Sequence, residues 1–350
     1  MLNSKSIHSV AALVRNSLRI EADQFRSDLT HLDAVGLFQR CVELVEVETT
    51  SYCNRTCSFC PNAFVDRLSE KKVMPEEAWQ AILYGLREVR YNSAFVWSRY
   101  AEALSERRII ERVREVRKAA PGCHIGINSN GDYLDADYLH ELEAAGLDRL
   151  WIDLYIPDED IYHPEVAKQF HDKFLQKIGR KPTMVASSPE LIHKIESKRT
   201  EIVTHTRNIA VMKAMDLSNR GGLIQIARKT VRNAPCYAPY KYLVIDWDGS
   251  IVVCCELRSD SPTHQEGIVG KIGVDGVGLA DAYVRLAEWR SSLRAYGPKR
   301  GPCATCNVGE YDSTPAMRML SRFLAESESP VVPWIKSGLR PILRKRRRLK

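Results

Sequence analysis

Between residues 42 and 155 short apolar strands alternate with amphipathic helices, an order that few folds accommodate. Val42-Glu43-Leu44-Val45-Glu46-Val47-Glu48-Thr49 alternates apolar with acidic residues and reads as a strand. A helix follows from Pro75 to Arg90, with proline at its start and apolar residues at Trp79, Ile82, Leu83 and Leu86. Ala94–Trp97, Cys123–Ile127 and Arg149–Tyr155 are further strands, and Glu106–Lys118 and Ala136–Ala145 the helices between them. Glu201–Thr204 and Leu223–Ile226 supply two more strands, although 156–235 is the least clearly patterned section. The expectation is an α/β fold around a parallel sheet.

The grammar changes from Cys236 onward. Lys241–Asp246 and Ile251–Cys255 flank Asp246-Trp247-Asp248-Gly249-Ser250, a hairpin in which Asp-Gly provides the positive φ of the turn. A helix follows at about 279–294. The division expected is a helical, acidic extension over 1–40, a core over 41–230, a small hairpin and helix domain over 231–315, and a tail over 316–350.

Composition narrows the function classes. No run of 18 apolar residues exists, and Met1-Leu2-Asn3-Ser4-Lys5-Ser6-Ile7 lacks the apolar core of a secretion signal. The ten cysteines then belong in a reducing cytoplasmic setting, where clustered cysteines read as metal ligands rather than disulfides. The net charge of +7 comes entirely from the end of the chain: residues 340–350 carry seven Lys or Arg and no acid. The remaining body is neutral, which argues against a nucleic-acid-binding domain. The tail reads as a solvated terminus or as an anchor to an acidic surface, since Trp334, Ile335, Leu339, Ile342 and Leu343 interleave with its charges.

Cys53, Cys57 and Cys60 follow the first strand at once, with C-x3-C-x2-C spacing and no fourth cysteine nearby. Cofactor sites of barrel folds lie on such loops, at the C-terminal ends of strands. A cubane cluster has four irons, so three thiolates leave one iron open for chemistry. Zinc would want a second pair at short range, yet the next candidates are Cys123 and His124.

This triplet resembles the signature of the radical SAM superfamily. The resemblance implies a partial (β/α)6 TIM-like barrel, with Cys53, Cys57 and Cys60 holding a [4Fe–4S] cluster whose fourth iron chelates S-adenosylmethionine. Reductive cleavage would then yield a 5′-deoxyadenosyl radical. Phe59 matches the aromatic residue that lies against the adenine. Ser98-Arg99-Tyr100-Ala101-Glu102-Ala103 stands where the family carries a GGEP-like loop for the methionyl amine. Glu102 is retained, while the double glycine and the proline are absent. Arg99 reads either as a fork for the cofactor carboxylate or as a surface arginine. Ser129-Asn130-Gly131 resembles the family's polar turn facing the cofactor carboxylate or ribose, and is equally an ordinary Asn-Gly turn. Asp153, polar within an apolar strand, points to cofactor or substrate, or marks a solvent face.

Cys236, Cys254, Cys303 and Cys306 form a second set, spaced C-x17-C and then, after a gap, C-x2-C. It resembles the auxiliary-cluster SPASM domain or its shorter twitch form, and four cysteines imply one auxiliary [4Fe–4S] cluster. A four-cysteine zinc site is the alternative. Cys41 and Cys123 read as packing. Cys255 follows Cys254, so on a strand it faces the other way. It reads as a substitute ligand, as packing, or as a hydrogen donor to a substrate radical.

The resemblance implies an enzyme that abstracts a substrate hydrogen, served by an external electron donor such as a flavodoxin or ferredoxin. Two substrates compete: a small polar molecule of sugar or aminocyclitol type, oxidised or epimerised, and a ribosomally made peptide, cross-linked or epimerised. The run ahead of the first strand is shorter than the leader-binding domain of peptide modifiers. RNA modification rests only on the basic tail, and a non-catalytic iron–sulfur or zinc protein is opposed by the three-cysteine count.

Overall fold

The computed structural model describes residues 20–187, 190–227 and 229–309, with residues 16 and 319. The tail and most of the extension ahead of residue 20 therefore lie outside the described residues. The described strands are β1 (Leu44–Val47), β2 (Ala94–Trp97), β3 (His124–Ser129), β4 (Arg149–Tyr155), β5 (Pro182–Ser187), β6 (Leu191–Ile195), β7 (Glu201–Arg207), β8 (Tyr242–Ile245), β9 (Ser250–Val252) and β10 (Ile268–Lys271). They form one sheet in the order β10-β9-β8-β1-β2-β3-β4-β7-β6-β5.

The run β8-β1-β2-β3-β4-β7 is parallel, and antiparallel hairpins close both edges. Six parallel strands are thus present, but the sixth is not 223–226. Gly221 and Gly222 have φ of +63° and +93°, and the Gly222 and Ile224 N–H groups donate to the Asn219 carbonyl at 2.9 and 3.0 Å in a tight turn. Backbone bent back on itself cannot join a ladder. The sixth strand is β8, on the far side of β1, so the hairpin placed after residue 230 continues the core sheet.

Helices α1 (His31–Cys41), α2 (Glu76–Glu88), α3 (Ile109–Ala119), α4 (Ala136–Ala145) and α5 (Pro164–Ile178) cover the outer face of the sheet or pack beside it. Trp79, Ile82, Leu83 and Leu86 give α2 its buried stripe, and Asp135 caps α4 by accepting from Tyr138 N–H. The helix expected at 279–294 is two, at Leu279–Val284 and Ala287–Leu293.

Residues paired across a parallel ladder share a face. Val45, Phe95, Ile127, Leu150 and Ile152 are fully buried on the helix-covered side. The opposite side carries Glu46 beside Val96, Asn128 beside Trp151, Asp153 beside His205 and Tyr155 beside Arg207. This inner face is far more polar than an all-apolar core, and the first cysteine loop opens onto its C-terminal end.

Candidate active site at the ends of the parallel strands

Cys53, Cys57 and Cys60 line one cavity together with Arg99, Glu102, Ser129, Asn130 and Asp153. The structure thus brings the triplet and five of the expected cofactor contacts to one place. The loop is short and tethered. Cys60 N–H donates to Cys57 O at 2.9 Å, and Cys53 N–H to Arg67 O at 3.2 Å. Asp132, just past β3, accepts from Asn54 Nδ2 at 2.7 Å and from Arg55 Nε and Nη2 at 2.7 and 2.6 Å. Phe59 stacks on Tyr155 with ring centroids 5.9 Å apart and 17° between planes.

All three thiols are free. Burial, reinforced by neighbouring negative charge, pushes Cys53 and Cys57 up to about 12, and burial raises Cys60 too. Thiols this reluctant to ionise alone ionise readily onto a cation. Their donor chemistry fits an iron–sulfur cluster. Among the described residues no three His, Cys, Asp or Glu side chains form a group that could hold a single metal ion. A cubane distributes its ligands over separate irons.

Glu102 is buried and accepts three hydrogen bonds: Leu104 N–H at 2.9 Å, Ser129 Oγ at 2.8 Å and Asn130 N–H at 2.8 Å. Burial outweighs these bonds and pushes its carboxyl up to about 7. Asn130 also donates through Nδ2 to Asn54 Oδ1 at 2.7 Å, tying the polar turn to the cysteine loop. Ser129 and Asn130 are therefore more than an Asn-Gly turn.

Arg99 lines the cavity and is also engaged by the protein itself. Its guanidinium is buried against Asp246 and the Leu257 carbonyl. The residue has φ of +87°, the left-handed bend a glycine would normally supply. Glu48 holds the bend by accepting from Tyr100 and Ala101 N–H, both at 2.7 Å. A carboxylate clamp thus stands where the missing glycines would.

In the second set, Cys254 and Cys303 belong to the main buried core with Cys236 packed against it, and Cys306 N–H donates to Cys303 O at 3.3 Å. Burial raises Cys254, Cys303 and Cys306. Arg232 braces the group, its N–H donating to Cys306 O at 2.6 Å and its Nε to Val308 O at 2.6 Å. The strand expected to run to Cys255 ends at Val252, so Cys255 lies in the turn beyond β9, where Tyr100 Oη donates to its carbonyl at 3.1 Å. Cys41 and Cys123 are buried, as packing requires.

Sequence reasoning missed Glu48, Asp132, Tyr155 and a buried ring of charge around Tyr100. Arg67, Arg99, Arg220 and Arg258 lie 5.0–5.8 Å from the centre of that ring. The acids Glu48, Asp246, Glu256 and Asp260 balance them. Glu48 was visible only as an alternating acid on the first strand; nothing local announced the others.

Residues 47–182 match the sequence model of the Radical SAM superfamily. The chain is 22% identical over 266 residues to an S-adenosyl-L-methionine-dependent 2-deoxy-scyllo-inosamine dehydrogenase of Niallia circulans, covering 75% of this chain and 92% of that protein. It is 25% identical over 146 residues to a probable GTP 3′,8-cyclase of Thermoplasma volcanium, covering 41% of this chain and 42% of the other. The crystal structure of BtrN in complex with AdoMet and 2-DOIA superposes with a TM-score of 0.53 at 21% identity, over 78% of this chain and 96% of that one. That last likeness concerns the fold alone. No helix among the described residues is long and apolar enough to cross a membrane.

Proposed function

We propose that the chain is a radical SAM oxidoreductase that oxidises a small polar substrate of sugar or aminocyclitol type, a reading supported by the match of residues 47–182 to the Radical SAM superfamily model. The carrying observation is the convergence of three free, charge-starved thiols with Glu102, Ser129 and Asn130 in one cavity. Cys53, Cys57 and Cys60 hold the first cluster. Glu102, Ser129 and Asn130 meet the polar end of S-adenosylmethionine, and Phe59 with Tyr155 forms the aromatic wall. When bound, cluster and S-adenosylmethionine together supply a 5′-deoxyadenosyl radical, fed by an external flavodoxin or ferredoxin.

Cys236, Cys254, Cys303 and Cys306 would hold an auxiliary [4Fe–4S] cluster, which would supply an acceptor for the second electron of the oxidation. A Cys255→Ala variant separates outcomes: oxidation survives it, epimerisation through a thiol donor does not. The dehydrogenase name of the Niallia circulans relative, which spans most of this chain, favours oxidation of a small molecule over peptide modification.

The test is anaerobic reconstitution with iron and sulfide, followed by S-adenosylmethionine and dithionite. About eight irons per chain and formation of 5′-deoxyadenosine are expected. Cys53→Ala should abolish the nucleoside. Cys306→Ala should lose about four irons and keep nucleoside formation. A fully iron-loaded protein that forms no 5′-deoxyadenosine refutes the proposal.

A further inference from the structure

Two buried cations flank the second cysteine set. Arg232 is 7% exposed and Lys299 8%. Arg232 spans the two halves of the set. Its N–H donates to Cys306 O at 2.6 Å, its Nε to Val308 O at 2.6 Å, and its Nη1 to Pro235 O at 2.7 Å, one residue ahead of Cys236. Lys299 sits on the loop that joins the halves. At one end of that loop Cys236 N–H donates to Leu293 O at 2.9 Å and Gly297 N–H to Asn233 O at 3.0 Å. At the other end it enters the Cys303 turn, where Cys303 N–H donates to Arg300 O at 3.1 Å. Lys299 Nζ donates to Ala295 O within the loop.

The acceptors of both cations are neutral carbonyls. Among the described residues neither cation forms an ion pair. The acids beside the set, Glu256 and Glu266, face Arg220 at 3.2 Å and Arg300 at 3.9 Å. A buried cation without a counter-charge is costly. Four neutral thiols leave that cost standing. Four thiolates on a [4Fe–4S] core of charge 2+ carry two net negative charges, which two cations balance. Electrostatics points the same way: burial and then Arg232 lower Lys299, while Cys236 and Cys303 oppose them. A zinc ion on four thiolates would carry the same charge, so the response to an added electron separates the two metals.

We propose that Arg232 and Lys299 are the built-in counter-charge of the second cysteine set and make an electron easier to add there. The inference rests on the auxiliary-cluster reading above and gives it two positioning residues, neither of them a ligand. One added electron takes the core from 2+ to 1+ and the four-thiolate unit from two negative charges to three, with no bond made or broken. Adjacent cations favour the more negative state. In the proposed oxidation that electron comes from the substrate.

The experiment is a redox titration of the full-length Cys53→Ala chain, reconstituted anaerobically so that the second set alone is loaded. Europium(II) chelates serve as reductant, and electron paramagnetic resonance reads the reduced cluster. Lys299→Met in that background should make one-electron reduction at least about tenfold less favourable, a midpoint about 59 mV more negative. Lys299→Arg should keep the equilibrium constant within about twofold of the parent. Arg232→Gln should shift it in the same direction as Lys299→Met. It also removes carbonyl braces, so Lys299→Met, which gives up one carbonyl contact, decides the case. About four irons per chain with a midpoint unmoved by Lys299→Met overturns this inference alone. So does a Lys299→Arg shift as large as that of Lys299→Met, because shape rather than charge would then be at work. Iron lost from Lys299→Met and restored by Lys299→Arg supports the counter-charge; iron lost from both overturns it. A second set that takes up zinc in place of iron, or that no reductant reduces, overturns the inference together with the auxiliary-cluster reading.

Discussion

Replacing Asp260 with asparagine should cost about 2 kcal/mol at neutral pH, with a signature in acid. Asp260 accepts from Arg258 Nε at 2.5 Å and Nη2 at 2.9 Å, and from Arg67 Nε at 3.1 Å. It thereby joins the segment after the cysteine loop to the segment after the C-terminal hairpin. Burial alone would raise its carboxyl, but the two guanidiniums hold it at about 2, against an ordinary 3.8. The folded state therefore favours the ionised form. Its contribution is present above the unfolded value and is lost as pH falls through the folded value. The shift corresponds to about 2 kcal/mol at pH 7, and linkage reduces it to about 1 kcal/mol at pH 3. The assay is urea unfolding of the metal-free chain, wild type against Asp260→Asn, at pH 7 and at successively lower pH. The gap should narrow towards acid. A difference under about 0.5 kcal/mol at pH 7, the range of an ordinary surface change, refutes the bridging role. So does a gap that persists unchanged at pH 3.

Two further variants probe the frame of the site. Asp132→Ala frees Asn54 and Arg55; the ion pair is about one-third exposed on each side, so about 1 kcal/mol of loop order is at stake and iron loss to a chelator should run about fivefold faster. An unchanged rate would mean that the cysteine loop is rigid without this tether. Gly131→Ala forces a side chain onto φ of +74° and places its Cβ 2.8 Å from Ile152 Cγ2 and 3.0 Å from Phe174 Cε2. A loss of about 1–3 kcal/mol is expected, read as a lower thermal midpoint.

The strands at 42–49, 94–97, 123–127, 149–155 and 201–204 were legible because each is a compact apolar or alternating run between helical patterns. The hairpin β5–β6 was not, because β5 is largely exposed and Thr183, Met184 and Val185 give no buried face to detect. Helix α5 left terminal signals, Pro164 at its start and Gly179 left-handed after its end, but lysines and histidines blur its stripe. At Leu223–Ile226 apolar content suggested a strand, while the preceding Gly-Gly determined a turn. The cysteine triplet was readable because its ligands are local. Glu48, Asp132, Glu190, Asp246 and Asp260 were not, because each gains its meaning from partners far away in sequence.

The pairing of β8 with β1 bears on how the enzyme comes into being. Leu44 aligns with Tyr242, so the strand that launches the cysteine loop waits for a partner about 200 residues further along the chain. Contacts of such long sequence separation form slowly, and during synthesis the first strand leaves the ribosome long before its neighbour exists. Until then one edge of β1 stays unpaired, and the Arg67 and Arg99 clamps lack Asp260 and Asp246. Cluster insertion into a settled loop is therefore a late event, and a chain cut before residue 242 would carry all three cysteines of the first set without the frame that steadies them.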